Sequence, residues 1–240
     1  MKVVAVIPAR LASTRLPRKA LREIAGIPMV GRVYQAVVAC AQLAPGEVVI
    51  ATDSEEIMDV CRRHGWNARL TSVEHRSGTE RVHEIALSVP ADVYLNIQGD
   101  EPLTRPEHVE SLLEVMSNPV VQVGTLAVAA QASDIGNANA VKVVRGRSGE
   151  ALYFSRATIP HDRDGAGVRY LKHLGFYAYR PEALDQFCAW PESALEKAER
   201  LEQLRFLENG ISIHVAETPY DTVGVDTEAD LLRVEKILAT

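Results

Sequence analysis

Short apolar runs alternate with stretches of helical spacing through the first half of this chain, and that alternation limits the folds open to it. Val3-Val4-Ala5-Val6-Ile7 is a continuous apolar run, as expected of a strand buried on both faces. From Pro28 to about Ala41, Val33, Ala36, Val37, Cys40 and Ala41 recur at helical spacing. A second strand follows at 47–51. Asp53 or Ser54 then caps a helix with Ile57, Val60 and Cys61 on one face. A short strand is expected at 68–71, and Ser77-Gly78-Thr79-Glu80 has the spacing of a capping box. Asp92 to Ile97 reads as a strong strand, and Thr104 opens a helix running to about Met116. Such a series predicts an α/β fold with a mostly parallel sheet and helices on both faces.

The alternation weakens after Val121. Segments 121–129, 140–145, 151–155 and 172–180 all read as strands, and Thr158 to Val168 reads as a mobile loop. This region, about 121–180, is expected to be an antiparallel β elaboration of one domain spanning 1–240, and a candidate dimer surface. Helices are expected at 181–188 and 194–209, a strand at 211–216, and a last helix from Thr227.

Composition excludes several classes. The 240 residues carry a net charge of -6, which disfavours nucleic acid as a partner and makes any anion site a local excess of positive charge. Cys40, Cys61 and Cys188 lack metal-site spacing and are expected to be free thiols in a reducing compartment. No apolar run reaches the length of a membrane span, and the start shows no signal-peptide pattern. A cytoplasmic protein is expected.

Ligands of open parallel sheets bind beyond the carboxyl ends of the strands. The loop after the first strand holds Arg10, Arg15, Arg18, Lys19 and Arg22 before any acid intervenes, with Ser13 and Thr14 adding hydroxyls. Arginine grips phosphate oxygens in pairs and lysine supplies a compact charge, so the loop suits a triphosphate. It is neither a Walker loop nor a GxGxxG turn. A merely solvated basic loop remains the alternative. After the strand at 92–97 comes Gln98-Gly99-Asp100-Glu101-Pro102, where a strand-end carboxylate facing phosphates would suit Mg2+, although such an acid can also simply shape a turn. Asp226 is a second candidate, but an Asp before a helix is also favoured electrostatically, with Thr227 and Asp230 at capping spacing.

Taken together, IPARLASTRLPRKAL at 7–21, ATDSEEI at 51–57, HRSGTER at 75–81, NIQGDEP at 96–102, NANAVKVV at 137–144, ALYFSRATIP at 151–160, KHLGFYAYR at 172–180, LEQLR at 201–205 and GVDT at 224–227 make the chain resemble the 3-deoxy-manno-octulosonate cytidylyltransferases over nearly its whole length. The resemblance implies a Rossmann-like nucleotidyltransferase fold, CTP and an acidic eight-carbon sugar as substrates, Mg2+ as cofactor, and a homodimer. It puts Ala9, Arg10, Ser13, Arg15 and Lys19 in a phosphate-binding loop, with Arg15, Lys19 and Asp100 catalytic. It puts Thr71, Ser77 and Gln98 around cytidine, and Asp100 and Asp226 on the metal. Gln98, Arg156, His173, Tyr177, Glu202 and Gln203 fall around the sugar acid. Without the resemblance, His173 and Tyr177 would read as same-face residues of a strand, and Glu202 and Gln203 as a solvated helix face. His161 and Arg76 stand where the family commonly has an aromatic residue and a glutamine.

Overall fold

The computed structural model describes residues 1–239 and comprises two compact units, Met1–Glu110 with the segment from Thr222 on, and Ser111–Asp221. In the first unit, β1 (Val3–Ala9) is buried at every position. Two short strands, β2 (Glu23–Ile24) and β3 (Ile27–Pro28), form a small hairpin that leads into α1 (Met29–Val38). The series continues with β4 (Val48–Thr52), α2 (Glu55–His64), β5 (Ala68–Leu70), α3 (Gly78–Ser88) and β6 (Val93–Asn96). Strands β1, β4, β5 and β6 follow the expected positions to within a few residues, whereas the β2–β3 hairpin was not expected.

Capping residues set several helix starts. The Ser54 side chain accepts from the Ile57 N–H at the start of α2, and Ser77 accepts from Glu80 N–H at the start of α3. In α2, Glu55 and Glu56 occupy the first turn and Arg62, Arg63 and His64 the last, the charge order that the helix dipole favours.

Strand order places the site. β4 lies parallel to one side of β1 with β5 beyond it, and α3 carries the chain back so that β6 pairs parallel with the other side of β1. The direction of winding therefore reverses between β1 and β6, and the carboxyl ends of strands at such a reversal are where open α/β sheets bind ligands. The two turns leaving those strands run very close together. Gly99 N–H donates to the Pro8 carbonyl over 3.3 Å, and a Cβ on Gly99 would stand 2.7 Å from that oxygen, so only glycine fits.

Helix α4 (Pro106–Met116) leads to the second unit. There β7 (Val123–Ala129) is followed by α5 (Ala132–Ile135), β8 (Lys142–Arg145), β9 (Ala151–Ser155), β10 (Leu171–Tyr179), α6 (Pro181–Ala189), α7 (Ala194–Glu199), α8 (Leu204–Glu208) and β11 (Ile213–Glu217). β10 pairs antiparallel with β7 and β8, β8 pairs antiparallel with β9, and β11 runs parallel to β7. Phe154, Phe176, Tyr179, Phe187 and Phe206 fill the core of this unit. The 158–168 segment, expected to be mobile, carries an internal tie: the Asp162 carboxylate accepts from the N–H groups of Ala166, Gly167 and Val168.

The helix expected over 194–209 is two helices. Arg200 adopts a left-handed conformation, φ 55° and ψ 49°, and ends α7. A buried ion pair holds the break: the Arg205 guanidinium grips Glu196 with two bonds of 2.5 and 2.7 Å and lies over the Phe187 ring. Helical periodicity is blind to such a break, because a left-handed residue and a tertiary ion pair decide it.

The chain returns to the first unit for α9 (Glu228–Leu238), opened by a reciprocal Thr227–Asp230 capping box. Its Leu231 and Val234 pack in one buried cluster with Leu16, Ile24, Met29 and Val225. Among the described residues no helix is long and apolar enough to cross a membrane.

Candidate active site

The first group of site residues gathers in the first unit, where the cationic loop leaves β1. Arg18 is left-handed, φ 56° and ψ 33°, and turns the backbone into a short 3-10 helix over Lys19–Leu21. Such a conformation is strained for a side chain with a Cβ, as is common at functional turns. Leu16, 2% exposed, anchors the middle of this otherwise charged loop in the cluster just described.

With Leu16 anchored, Lys19 and Arg15 reach Asp100, in the turn after β6, and Asp226, just before α9. Lys19 Nζ donates to Asp100 Oδ2 over 2.6 Å and to Asp226 Oδ1 over 3.0 Å, while Arg15 Nη2 lies 2.9 Å from Asp226 Oδ2. Burial alone would lower the Lys19 pKa, but Asp100 and Asp226 outweigh it and raise the value above the ordinary one. Lys19 is therefore an ammonium throughout the physiological range. Arg22 pairs with Glu228 at 2.6 Å, and Arg18 pairs with Glu56. Arg10 is exposed and, among the described residues, makes no ion pair. Asp226 thus has both features seen in the sequence: it stands just before the α9 capping box, and its carboxylate points back to the loop cations.

Asp100 and Asp226 converge on one cation, the Lys19 ammonium, from different parts of the chain. Carboxylate oxygens are the donors a hard divalent ion takes, so this pair fits Mg2+. Among the described residues no group of three or more His, Cys, Asp or Glu side chains could hold a metal. Mg2+ at this pair would therefore complete its shell with phosphate oxygens and water, as it commonly does.

Around the proposed base pocket, Thr71 is buried, and its hydroxyl oxygen accepts from Arg81 Nη1 over 2.6 Å. Arg81 also donates to the Ser72 carbonyl over 3.0 Å and pairs with Asp53 at 2.5 Å. Because Arg81 occupies a lone pair of the Thr71 oxygen, the Thr71 hydroxyl proton is left to donate elsewhere. Sequence reasoning gave Arg81 no role and offered Asp53 only as a possible helix cap, a place that Ser54 takes. The signal lay in Arg81 itself, a cation on the same helical face as Val82 and Ile85, which a helix buries only with a partner. Gln98 Nε2 donates to Asn96 Oδ1 over 2.9 Å, which turns its carbonyl oxygen away from Asn96. Ser77 serves as the α3 cap, and Ala9 ends β1. Ser13 lies half-buried in the loop.

The second group lies in the second unit. His173 and Tyr177 share a face, as their even spacing predicts, with ring centroids 5.4 Å apart. Between Leu174 and Tyr177 the register shifts, so that His173 pairs with Ala127 and Tyr177 with Thr125. The Thr125 hydroxyl donates to the Phe176 carbonyl over 2.7 Å and lies 3.0 Å from His173 Nε2. A hydroxyl has one proton, so His173 Nε2–H donates to Thr125 and Nδ1 is left as an acceptor. Burial pushes the His173 pKa down to about 3, so the ring is neutral. Burial, with Tyr179 and Glu202 nearby, pushes the Tyr177 phenol well above its ordinary value, against a hydrogen bond with Thr125.

Arg156, just after β9, donates to three backbone carbonyls: Nε to Glu199 at 2.8 Å, Nη1 to Ala138 at 3.1 Å and Nη2 to Arg200 at 3.3 Å. Among the described residues no acid side chain takes up those donors, and the guanidinium keeps spare N–H groups. Its own carbonyl accepts from Lys142 Nζ over 2.9 Å. Lys142 is fully buried and also donates to the carbonyls of Asn137 and Ala140, at 2.7 and 2.6 Å. Burial lowers its pKa. The helix break at Arg200 leaves Glu202 half-buried and Gln203 buried, with no partner for Gln203 Nε2 among the described residues. A buried amide nitrogen without an acceptor is uncommon and marks a place where a ligand oxygen would be welcome.

A cationic loop after β1 that meets one carboxylate in the turn after β6 and another before α9, at the switch point of the sheet, is the arrangement of a nucleotidyltransferase. Comparison with known proteins narrows this. The cytidylyltransferase family pattern matches residues 4–213. Curated relatives include the 3-deoxy-manno-octulosonate cytidylyltransferases of Koribacter versatilis (strain Ellin345), 66% identical over 99% of this chain and 90% of the relative, and of Escherichia coli, 44% identical over 99% and 96%. Among solved structures, CMP:2-keto-3-deoxy-manno-octonic acid synthetase complexed with CTP superposes with a TM-score of 0.95 at 44% identity, covering 100% of this chain and 99% of the other. The chain belongs to the 3-deoxy-manno-octulosonate cytidylyltransferase family.

Proposed function

We infer that this enzyme transfers a cytidylyl group from CTP to 3-deoxy-D-manno-octulosonate, releasing pyrophosphate and giving the CMP-sugar used in lipopolysaccharide synthesis. The observation that carries the reading is the junction of Lys19 with Asp100 and Asp226, in a chain that matches a CTP-bound relative along its full length. The sugar's anomeric oxygen attacks the α-phosphorus of CTP. As the new O–P bond forms, the bond to the bridging oxygen of pyrophosphate breaks, and the hydroxyl proton passes to solvent.

Little covalent chemistry falls to the protein, so positioning and charge neutralisation carry the rate. Arg15 and Lys19 neutralise the α-phosphate and the departing pyrophosphate, with Ala9, Arg10 and Ser13 lining the phosphate path. Thr71, Ser77 and Gln98 frame cytidine, and the Thr71 hydroxyl, backed by Arg81, donates to the base. Arg156 faces the sugar carboxylate. Neutral His173 accepts a sugar hydroxyl at Nδ1, and Gln98, Tyr177, Glu202 and Gln203 orient the remainder. Asp100 and Asp226 hold Mg2+, which when bound supplies charge for the phosphates and lowers the pKa of the attacking hydroxyl. A homodimer and a cytoplasmic setting complete the proposal.

The test is pyrophosphate release with CTP across a panel of acidic sugars. Turnover should be greatest with 3-deoxy-D-manno-octulosonate. Greater turnover with its 8-amino analogue or with a sialic acid would move the sugar assignment and leave the reaction class intact.

A further inference from the structure

Asp226 stands more than a hundred residues beyond Asp100 in the chain, so only non-covalent contacts can keep the two carboxylates together. Those contacts are specific. Val225 N–H donates to the Asp100 carbonyl over 2.9 Å, and the Thr222 hydroxyl donates to the Glu101 carboxylate at Oε2. Between these bonds Gly224 lies flat against Glu101, where a Cβ would stand 3.1 Å from Oε1. Glu101 is itself held: its N–H donates to the Gln98 carbonyl over 3.2 Å, and its carbonyl accepts from the Thr104 N–H and hydroxyl at 2.9 and 2.6 Å. On the far side, Asp226 N–H donates to Asp230 Oδ2 over 3.2 Å.

We propose that Glu101 is a positioning residue: through Thr222 it clamps the Thr222–Asp226 segment against the β6 turn and so keeps the Asp226 carboxylate opposite Asp100. The role goes beyond charge. Glu101 spends its Oε2 on the Thr222 hydroxyl, and its task is to accept that proton. An amide oxygen can do the same, whereas a metal ligand would need the carboxylate. The proposal rests on the reading that Asp100 and Asp226 hold the divalent ion.

Mn2+ binding to the full-length protein with saturating CTP, read as free Mn2+ by electron paramagnetic resonance, tests both. Glu101→Gln should bind Mn2+ nearly as wild type. Glu101→Ala and Thr222→Val should each weaken binding about 10–100-fold, the range for loss of a group that orients a metal ligand. Thr222→Ser should restore it, and the Glu101→Ala/Thr222→Val double variant should be no weaker than either single one, since both remove the same Thr222–Glu101 bond. Thermal melts check that each variant is folded, and Thr222→Val carries the test should Glu101→Ala not fold. Glu101→Gln as weak as Asp226→Asn would make Glu101 a ligand and overturn the positioning role. Wild-type affinity in Glu101→Ala and Thr222→Val, with loss only in Asp226→Asn, would overturn the clamp. Wild-type affinity in Asp100→Asn and Asp226→Asn would remove the metal reading beneath it.

Discussion

Leu16 and Val225, from opposite ends of the chain, are buried in one cluster, and each is the immediate neighbour of a charged residue of the candidate site, Arg15 and Asp226. The ion pair between those neighbours is exposed on both sides and would be weak by itself. Its geometry is set by the apolar contact behind it. Leu16→Ala should therefore destabilise the protein by about 2–5 kcal/mol in denaturant unfolding, the range for a buried leucine. It should also raise the KM for CTP. An unchanged KM would mean that the loop holds its shape without the cluster.

Lys19 joins both acids, so its removal takes away the ammonium between the two carboxylates and leaves only the exposed Arg15 on Asp226. Lys19→Ala should lower kcat about 10²–10³-fold, as for loss of one preorganised charged donor. Far-ultraviolet circular dichroism should be unchanged. Turnover close to wild type would deny Lys19 its place on the phosphates.

Lys142 satisfies three backbone carbonyls at once, one of them that of Arg156. Lys142→Met keeps the stem but leaves those oxygens without their donor, at about 1–3 kcal/mol for each that stays unpaired. Stability should fall, and the KM for the sugar should rise more than that for CTP, because Arg156 loses its support. Equal effects on both would favour a purely structural role.

His173 is neutral when folded, with a pKa of about 3, and titrates near 6.5 when unfolded. Between those values the unfolded chain binds the extra proton. Stability from this group is complete above about 6.5 and is lost as pH falls, by at most about 1.4 kcal/mol per pH unit. Chemical denaturation at pH 7 and pH 5 should show a smaller drop in His173→Gln than in wild type. An equal drop would place the protonation elsewhere.

Much of the fold was legible because its signals are local. The caps at Ser54, Ser77 and Thr227, and the apolar runs of β1, β4 and β6, act within a few residues and have compositional signatures. The break at Arg200 was not legible, because a buried Arg205–Glu196 pair decides it and the apolar spacing continues through it. The even spacing of His173 and Tyr177 gave the shared face, but not the register shift between Leu174 and Tyr177 that sets Tyr177 opposite Thr125, which no periodicity announces.

By itself the sequence determined the strand–helix alternation, the cationic loop after the first strand and the acids at strand ends, since these follow from side-chain chemistry and short-range spacing. Tertiary structure alone decided that Asp100 and Asp226 meet on Lys19, and that Glu101 and Leu16 hold what surrounds them. Contacts between residues distant in the chain depend on the path of the backbone through the core, and a linear pattern carries no record of that path.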